Sequence, residues 1–462
     1  MLLRVFPNRK FTPHDANDKD LTRSEMIALL IKHLELDKFI SKFPQGDSPF
    51  MDVHSNQSNI NFALQFGFIT MNKSSTFRPD DLIKKEEAYA ILYNVYKTFN
   101  EKFEMLHSYY ALSSYQQMSM TESLNALSFG WSRLEFNADK TNVVLNMSRS
   151  GGNEYSVPSG YTTAINKTER EDLSRQLMVF VKEESIYDAK LKKNVTLAEA
   201  LLSNEAWRDS VINDIMNALQ NNTYKIPFDG VLIDIEGLKG ETNARNLNAF
   251  IKLLSERLKQ SNLSLYVAVH PVGLNRSSYF DGYDYKTIGS YADYVILMAH
   301  DYQSKRLTPA EMAVGYTVTP LTPISEIFYA LAAVTDPISG VQDSRKVMLQ
   351  FSMDTVQWKL KEDKVIHAIP YRPLYDSVYS RINEGAVTFY SENLQNPYIT
   401  FNDLKDGTYN IVWYENTQSI IAKLDLAKLF KIGGISIWRL GTIPNYESHQ
   451  LQIWQTILDQ IK

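Results

Sequence analysis

The chain has 462 residues, a formal net charge of −5 and no cysteine. That length accommodates two or three domains, one of which can be a barrel of roughly 250 residues. Nearly balanced charge with no long basic run argues against a nucleic-acid partner, and the lack of cysteine excludes disulfides, thiolate metal sites and a cysteine nucleophile. The eight histidines show neither HExxH nor paired spacing, so neither a metal site nor any other cofactor is called for. No apolar run reaches the ~18 residues of a membrane-spanning helix. Met1–Pro7 is too short for a signal peptide, so either the protein stays inside or a leader has been removed.

After Phe11-Thr12-Pro13 and a polar loop, Leu21-Thr22-Arg23-Ser24-Glu25 opens a helix with Met26, Leu29, Leu30 and Leu34 at helical spacing. The unit recurs over residues 50–96. There Phe50-Met51-Asp52-Val53 precedes a helix from Asn59 to Phe66, and Phe77-Arg78-Pro79 leads through Lys84-Lys85-Glu86-Glu87 into another. The second copy resembles an S-layer-homology repeat, and Thr22-Arg23-Ser24-Glu25 is similar to the latter half of one. About one and a half copies occupy residues 1–100. The resemblance implies binding of an anionic secondary cell-wall polymer through Arg23, Lys84 and Lys85. A helical prefix that only packs on the barrel is the alternative.

From about residue 104, short apolar strands alternate with helical segments, as in a parallel sheet closed by helices. Eight strands are predicted: Met105 to Ala111, Asn125 to Trp131, Gln176 to Val181, Phe228 to Glu236, Leu263 to Val269, Ala292 to Met298, Lys346 to Ser352 and Gly433 to Leu440. Between the fourth and fifth, Asn243 to Gln260 carries Leu247, Phe250, Ile251, Leu254 and Leu258 on one stripe, a crossover helix. The fold class expected for residues 101–462 is therefore an α/β TIM (β/α)8 barrel. Residues 355–432 overfill the last connection. Val387 to Tyr390, Tyr398 to Phe401 and Asn410 to Tyr414 read as strands of an α+β insertion between strands seven and eight.

The chemistry concentrates in Phe228-Asp229-Gly230-Val231-Leu232-Ile233-Asp234-Ile235-Glu236-Gly237. Alternation along a strand puts Leu232, Asp234 and Glu236 on one face and Val231, Ile233 and Ile235 on the other. Two carboxylates on an otherwise apolar strand belong at its C-terminal end, opening into a cleft. There a hydrogen-bonded Asp stays ionised while a neighbouring Glu is pushed towards its neutral form.

These residues resemble the fourth-strand signature of glycoside hydrolase family 18, D-G-x-D-x-D-x-E, with Leu232 where the family often has Asp. Tyr109-Tyr110, Ser128-Phe129-Gly130-Trp131, the run from Tyr294 through Met298-Ala299-His300-Asp301-Tyr302, and Gly433-Gly434-Ile435-Ser436-Ile437-Trp438 look like further family positions. Asn396-Pro397-Tyr398 and Val412-Trp413-Tyr414-Glu415 resemble the wall- and spore-associated branch of Gram-positive bacteria. The resemblance implies retaining hydrolysis of β-1,4 bonds in N-acetylglucosamine polymers, such as peptidoglycan, spore cortex or chitin, with the substrate's own acetamido oxygen as nucleophile. Glu236 would be the acid and base, Asp234 would hold the acetamido group, and Trp438 would form the sugar's floor. Met298, His300, Asp301, Tyr302, Tyr110 and Phe129 would line the site. It also implies an extracellular, wall- or spore-associated protein.

Two departures carry consequences of their own. Leu232 leaves Asp234 without a like-charge neighbour, which should make it more firmly ionised. His300 stands where the family commonly has Tyr, and its nominal pKa near 6.5 would make its contact with the acetamido oxygen pH-sensitive. A non-hydrolytic, chitinase-like carbohydrate-binding protein of the cell wall remains the alternative function.

Overall fold

The computed structural model describes residues 20–40, 47–71, 73, 75–112, 114–189, 191–271, 280–448 and 450–462. The expectations for Met1–Pro7 and Phe11-Thr12-Pro13 lie outside the described residues. Two compact units emerge, residues 1–102 with 428–430, and residues 103–427 with 431–462.

In the first unit, Thr22 caps the helix Arg23–His33. Its hydroxyl accepts from the Glu25 N–H at 3.2 Å, and the Glu25 carboxylate accepts from the Thr22 N–H at 2.9 Å. This reciprocal box satisfies two amides that a helix start would leave open. The segments leading into the two repeat helices touch: Thr22 bridges Leu82 antiparallel, and the Ile83 N–H donates to Leu21 at 2.9 Å. Arg23 is not presented to an outside anion, as the wall-binding expectation required. Its guanidinium lies 2.7 Å from Glu87, donates through Nε to the Phe77 carbonyl at 2.7 Å and stacks on the Phe77 ring. Lys84 and Lys85, by contrast, are exposed where helix Lys85–Asn100 begins.

The second unit is a closed parallel barrel. Its strands are β1 (Met105–Tyr110), β2 (Ala126–Phe129), β3 (Ser174–Val181), β4 (Gly230–Asp234), β5 (Ser264–Val269), β6 (Tyr294–Leu297), β7 (Val347–Ser352) and β8 (Gly434–Trp438). Each pairs with its sequence neighbour and β8 pairs with β1, so no edge is left. The eight strands fall where expected, seven of them trimmed at their ends and the third begun two residues earlier, at Ser174. The helix Gly240–Lys259 buries Leu247, Phe250, Ile251, Leu254 and Leu258, the predicted stripe. Each such side chain taken from water contributes on the order of 1.5–3 kcal/mol.

Strand alternation sorts β4 as anticipated. Val231, Ile233 and Ile235 are buried on the outer side, and Leu232 joins a lumen cluster with Tyr109, Met178, Tyr266, Ile296 and Met348. The Asp229-Gly230 pair is structural here. Asp229 accepts from the Arg175 N–H at 2.9 Å and pairs with its guanidinium at 3.2 Å. Gly230 sits where a Cβ would come within 2.2 Å of the Ser264 carbonyl and 2.4 Å of the Gln176 amide oxygen.

Between β7 and β8 lies an antiparallel five-stranded sheet. Its strands are ordered Lys364–Val365, Val356–Lys361, Thr408–Trp413, Asn396–Asp403 and Val387–Ser391. The first two of these were not anticipated. Their hairpin turns at Glu362 and Asp363, both at positive φ, without the Asn-Gly or Asp-Gly that marks such turns. One face packs Val356, Trp358, Leu360 and Trp413 against Leu307 and Leu321. The helix Thr417–Leu429 then leads into β8.

Gly230→Ala should cost about 1–3 kcal/mol, because the methyl would have to displace backbone on a neighbouring strand. Urea unfolding of the full chain measures this, and an unchanged midpoint would show that the strands part without cost.

Candidate active site

Inward-facing side chains rise along the lumen from an apolar and hydroxyl-rich base to the acidic pair at the C-terminal ends of the strands. At the base, His107 is wholly buried, with Nδ1 2.8 Å from the Ser436 hydroxyl and Nε2 2.8 Å from that of Ser128. Burial lowers its pKa to about 3, so it is a neutral packing element. Above it, Tyr109 meets Trp438 edge to face with ring centroids 4.8 Å apart. Met298 closes the same layer.

Asp234 ends β4 facing inward and is only 4 % exposed. Its Oδ1 has no hydrogen-bond partner among the described residues. Burial, and then the charge of Glu236, hold its pKa well above the usual carboxylate range. This corrects two expectations. Leu232 does remove one like charge, yet Glu236 supplies another, and burial in the apolar lumen, the larger cause, acts in the same direction. The carboxyl driven towards neutrality is therefore Asp234, whereas Glu236, two residues on, is 47 % exposed.

His270, one residue beyond the end of β5, was not anticipated. Its Nε2 lies 3.6 Å from the Glu236 carboxylate, and its ring packs on Phe280 with centroids 4.5 Å apart. The Tyr285 hydroxyl holds the His270 carbonyl at 2.6 Å, and the Tyr283 hydroxyl holds that of Ile235 at 2.7 Å. Parity alone could have found His270, since it continues the inward face of Tyr266 and Ala268. Tyr155, also unanticipated, comes from the connection between β2 and β3 and packs at a tilt on Phe180, with centroids 5.0 Å apart. Burial, followed by the charge of Asp234, pushes its hydroxyl up to about 12.

The sixth-strand residues arrive differently from the expectation. His300 Nε2 is 2.8 Å from the Gln350 amide oxygen and Nδ1 is 3.6 Å from Asp301. The imidazole is thus hydrogen-bonded to Gln350, with Nδ1 left without a hydrogen-bond partner among the described residues. Burial alone would lower its pKa, but Asp301 first, then Gln350 and Glu236, turn the net shift upward, away from the nominal value assumed from the sequence. Asp301 takes a positive φ. Burial works against its charge, yet His300, Lys305 and Arg372 hold its pKa below the usual range. Tyr302 is tied through its N–H to the Leu321 carbonyl at 2.9 Å.

Tyr110 and Phe129 do not reach the cleft. Parity places them on the outer face, where both are buried against Trp131 with centroids at 5.7 and 4.4 Å. The inward residue of the Tyr109-Tyr110 pair is Tyr109. Arg23, Lys84 and Lys85 lie in the first unit.

The raised pKa of Asp234 has a stability consequence. A carboxyl that binds its proton more tightly folded than unfolded stabilises the fold at low pH, and that stability is lost as pH rises from the unfolded value near 3.8 through the folded one. Asp234→Asn should therefore melt at a higher temperature than the parent at pH 7, with the gap closing towards pH 4. Thermal melts across that range measure it, and a gap constant with pH would contradict the burial argument.

The comparisons agree with this geometry. The family model described as Glycosyl hydrolases family 18 matches residues 198–442, more than half of the chain. The cortical fragment-lytic enzyme of Bacillus subtilis is 23 % identical over 251 residues, 53 % of either chain. Di-N-acetylchitobiase of Homo sapiens is 25 % identical over 278 residues, 55 % of this chain and 66 % of its own. The chain spans about half the length of the first curated relatives it matches. Among solved structures, the spore cortex-lytic enzyme SleL of Bacillus cereus superimposes with a TM-score of 0.59 at 18 % identity, covering 79 % of this chain and 75 % of that one. A chitinase of Chromobacterium violaceum gives 0.58 at 18 %, with 77 % and 98 % covered. With the family model spanning β4 to β8, and the barrel shared with these structures, the chain belongs to glycosyl hydrolases family 18.

Proposed function

We propose that the protein is a retaining glycosidase that cuts β-1,4 bonds beside N-acetylglucosamine in a wall polymer, peptidoglycan or spore cortex ahead of chitin. The observation that carries this is the pairing of a buried Asp234 with a half-exposed Glu236 at one strand end, over the Tyr109–Trp438 floor. Relatives named for cortex lysis and for chitobiose cleavage support the substrate class and a secreted or spore-associated setting.

Glu236, open to the cleft, protonates the glycosidic oxygen as the bond from that oxygen to the anomeric carbon breaks. The acetamido oxygen closes on the same carbon, and the resulting oxazolinium cation sits against Asp234. Asp234 acts in its ionised form, its proton having left to solvent, and a carboxylate whose charge is otherwise disfavoured gains most when a cation forms beside it, so its stabilisation falls on the transition state. Glu236 then takes a proton from water, which attacks the anomeric carbon and opens the ring. Two inversions leave the β-configuration.

Glu236→Gln should lower turnover about 10²–10⁴-fold, the usual worth of a general acid, with binding of oligosaccharide retained. Side-by-side digestion of peptidoglycan, spore cortex and chitin, with proton NMR of the new anomeric signal, is the measurement. Parent-like turnover, or an α-anomer as first product, would refute the reading.

The N-terminal unit serves as the attachment to an anionic wall polymer. Lys84 and Lys85, exposed at a helix start, support this, while Arg23 is internal. Replacing both lysines by Glu in the full chain should reduce co-sedimentation with sacculi several-fold and weaken its salt dependence. Undiminished retention would place wall binding in the cleft.

A further inference from the structure

The insertion sheet has a second face, opposite the one packed on Leu307 and Leu321. Helix Tyr375–Asn383 covers part of it, with Val378 buried there. The remainder is an open groove of about 460 Å³ lined by Lys359, Tyr371, Arg372, Arg381, Phe401 and Asp403 among others. That volume is within the range of small-molecule sites.

Three cations face one carboxylate along this lining. Lys359 is held by Asp406 at 2.5 Å. The Arg381 guanidinium carbon lies over the Phe401 ring, 4.7 Å from its centroid. Its only carboxylate within ion-pair distance among the described residues is Glu384, at 3.1 Å and one helical turn away, with both side chains exposed. Such a surface pair is weak and readily exchanged. A guanidinium seated on an aromatic ring, whose acidic partner is this exchangeable surface pair, suits bidentate capture of a ligand carboxylate. Tyr371, half-exposed with the His367 ring 4.5 Å and the Lys359 ammonium 5.7 Å from its centroid, adds an aromatic wall to the groove.

The groove also has a direction. Arg372 lies 3.7 Å from Asp354, which follows the end of β7 on the active-site face, and its charge is one of those that hold down the carboxyl of Asp301. One end of the groove therefore opens beside the sixth- and seventh-strand side of the cleft.

We infer that this groove is a binding site for the carboxylate-bearing saccharide units of an acidic glycan, continuing the strand whose bond lies at Glu236. The inference rests on the reading of the cleft as a glycan-cleaving site and deepens it. A peptidoglycan strand carries carboxylates on its stem peptides, or on the lactyl groups that bear no peptide, whereas chitin carries none, so the groove selects the acidic polymer.

The test is calorimetric titration of the full-length Glu236→Gln chain, so that nothing is turned over. The probes are a peptidoglycan-derived tetrasaccharide with free carboxylates and neutral chitotetraose. Adding Arg381→Glu should weaken the acidic ligand about tenfold, the equivalent of ~1.4 kcal/mol, and neutral ligand less than twofold. Arg381→Lys should lie between. Unchanged affinity for the acidic ligand overturns the inference, as does an equal loss on both ligands. If the parent chain hydrolyses neither polymer, the glycosidase reading fails, and these titrations still decide the groove.

Discussion

Closure of eight strands into a barrel dictates most of what this protein can do. A closed sheet has no edge to protect, and every second residue of each strand must enter the lumen. The lumen is filled rather than open, with Leu232, Met178, Tyr266, Ile296 and Met348 packed at its centre. A carboxyl at the next inward position is then lifted out of water by its neighbours. Asp234 occupies that position, and its raised pKa follows from barrel packing before any nearby charge is considered.

The other buried acid shows the opposite solution. Glu415, just after the insertion sheet, is as inaccessible as Asp234, but Lys423 lies 2.6 Å away and Asn396, Thr322 and Ser419 complete its shell. Burying a charge is tolerated where its partners are buried with it. This cluster joins the strand Asn396–Asp403, the approach to helix Ile324–Val334 and the helix Thr417–Leu429. It ties the insertion to the barrel. One acid is paired and structural; the other is left short of partners where a substrate cation would complete it, a local conflict of the kind that functional sites retain.

The same contrast separates the basic residues. Arg23 and Arg78 both converge on Glu87, whereas Arg381 rests on a ring and Lys84 and Lys85 are exposed. The guanidinium closest to the family pattern in the repeats is thus the one committed to internal structure. Charge type and spacing do not distinguish a binding cation from a stapling one, because the distinction lies in which carboxylate the fold brings alongside.

The sequence by itself determined the barrel, its eight strands, the crossover helix and the acidic pair. Period-two and helical patterns are local, and closely spaced residues such as Asp234 and Glu236 keep their relation whatever surrounds them. It also located the insertion, through a connection too long for one helix. Only the tertiary structure decided which of Tyr109 and Tyr110 faces the lumen, since a strand's two faces are equivalent until neighbours define an inside. It likewise decided that Asp234 is the desolvated carboxyl, that His270 stands beside Glu236 and that His300 is hydrogen-bonded to Gln350 with Asp301 nearby. Burial and charge coupling are sums over residues far apart in the chain, and no local pattern encodes them.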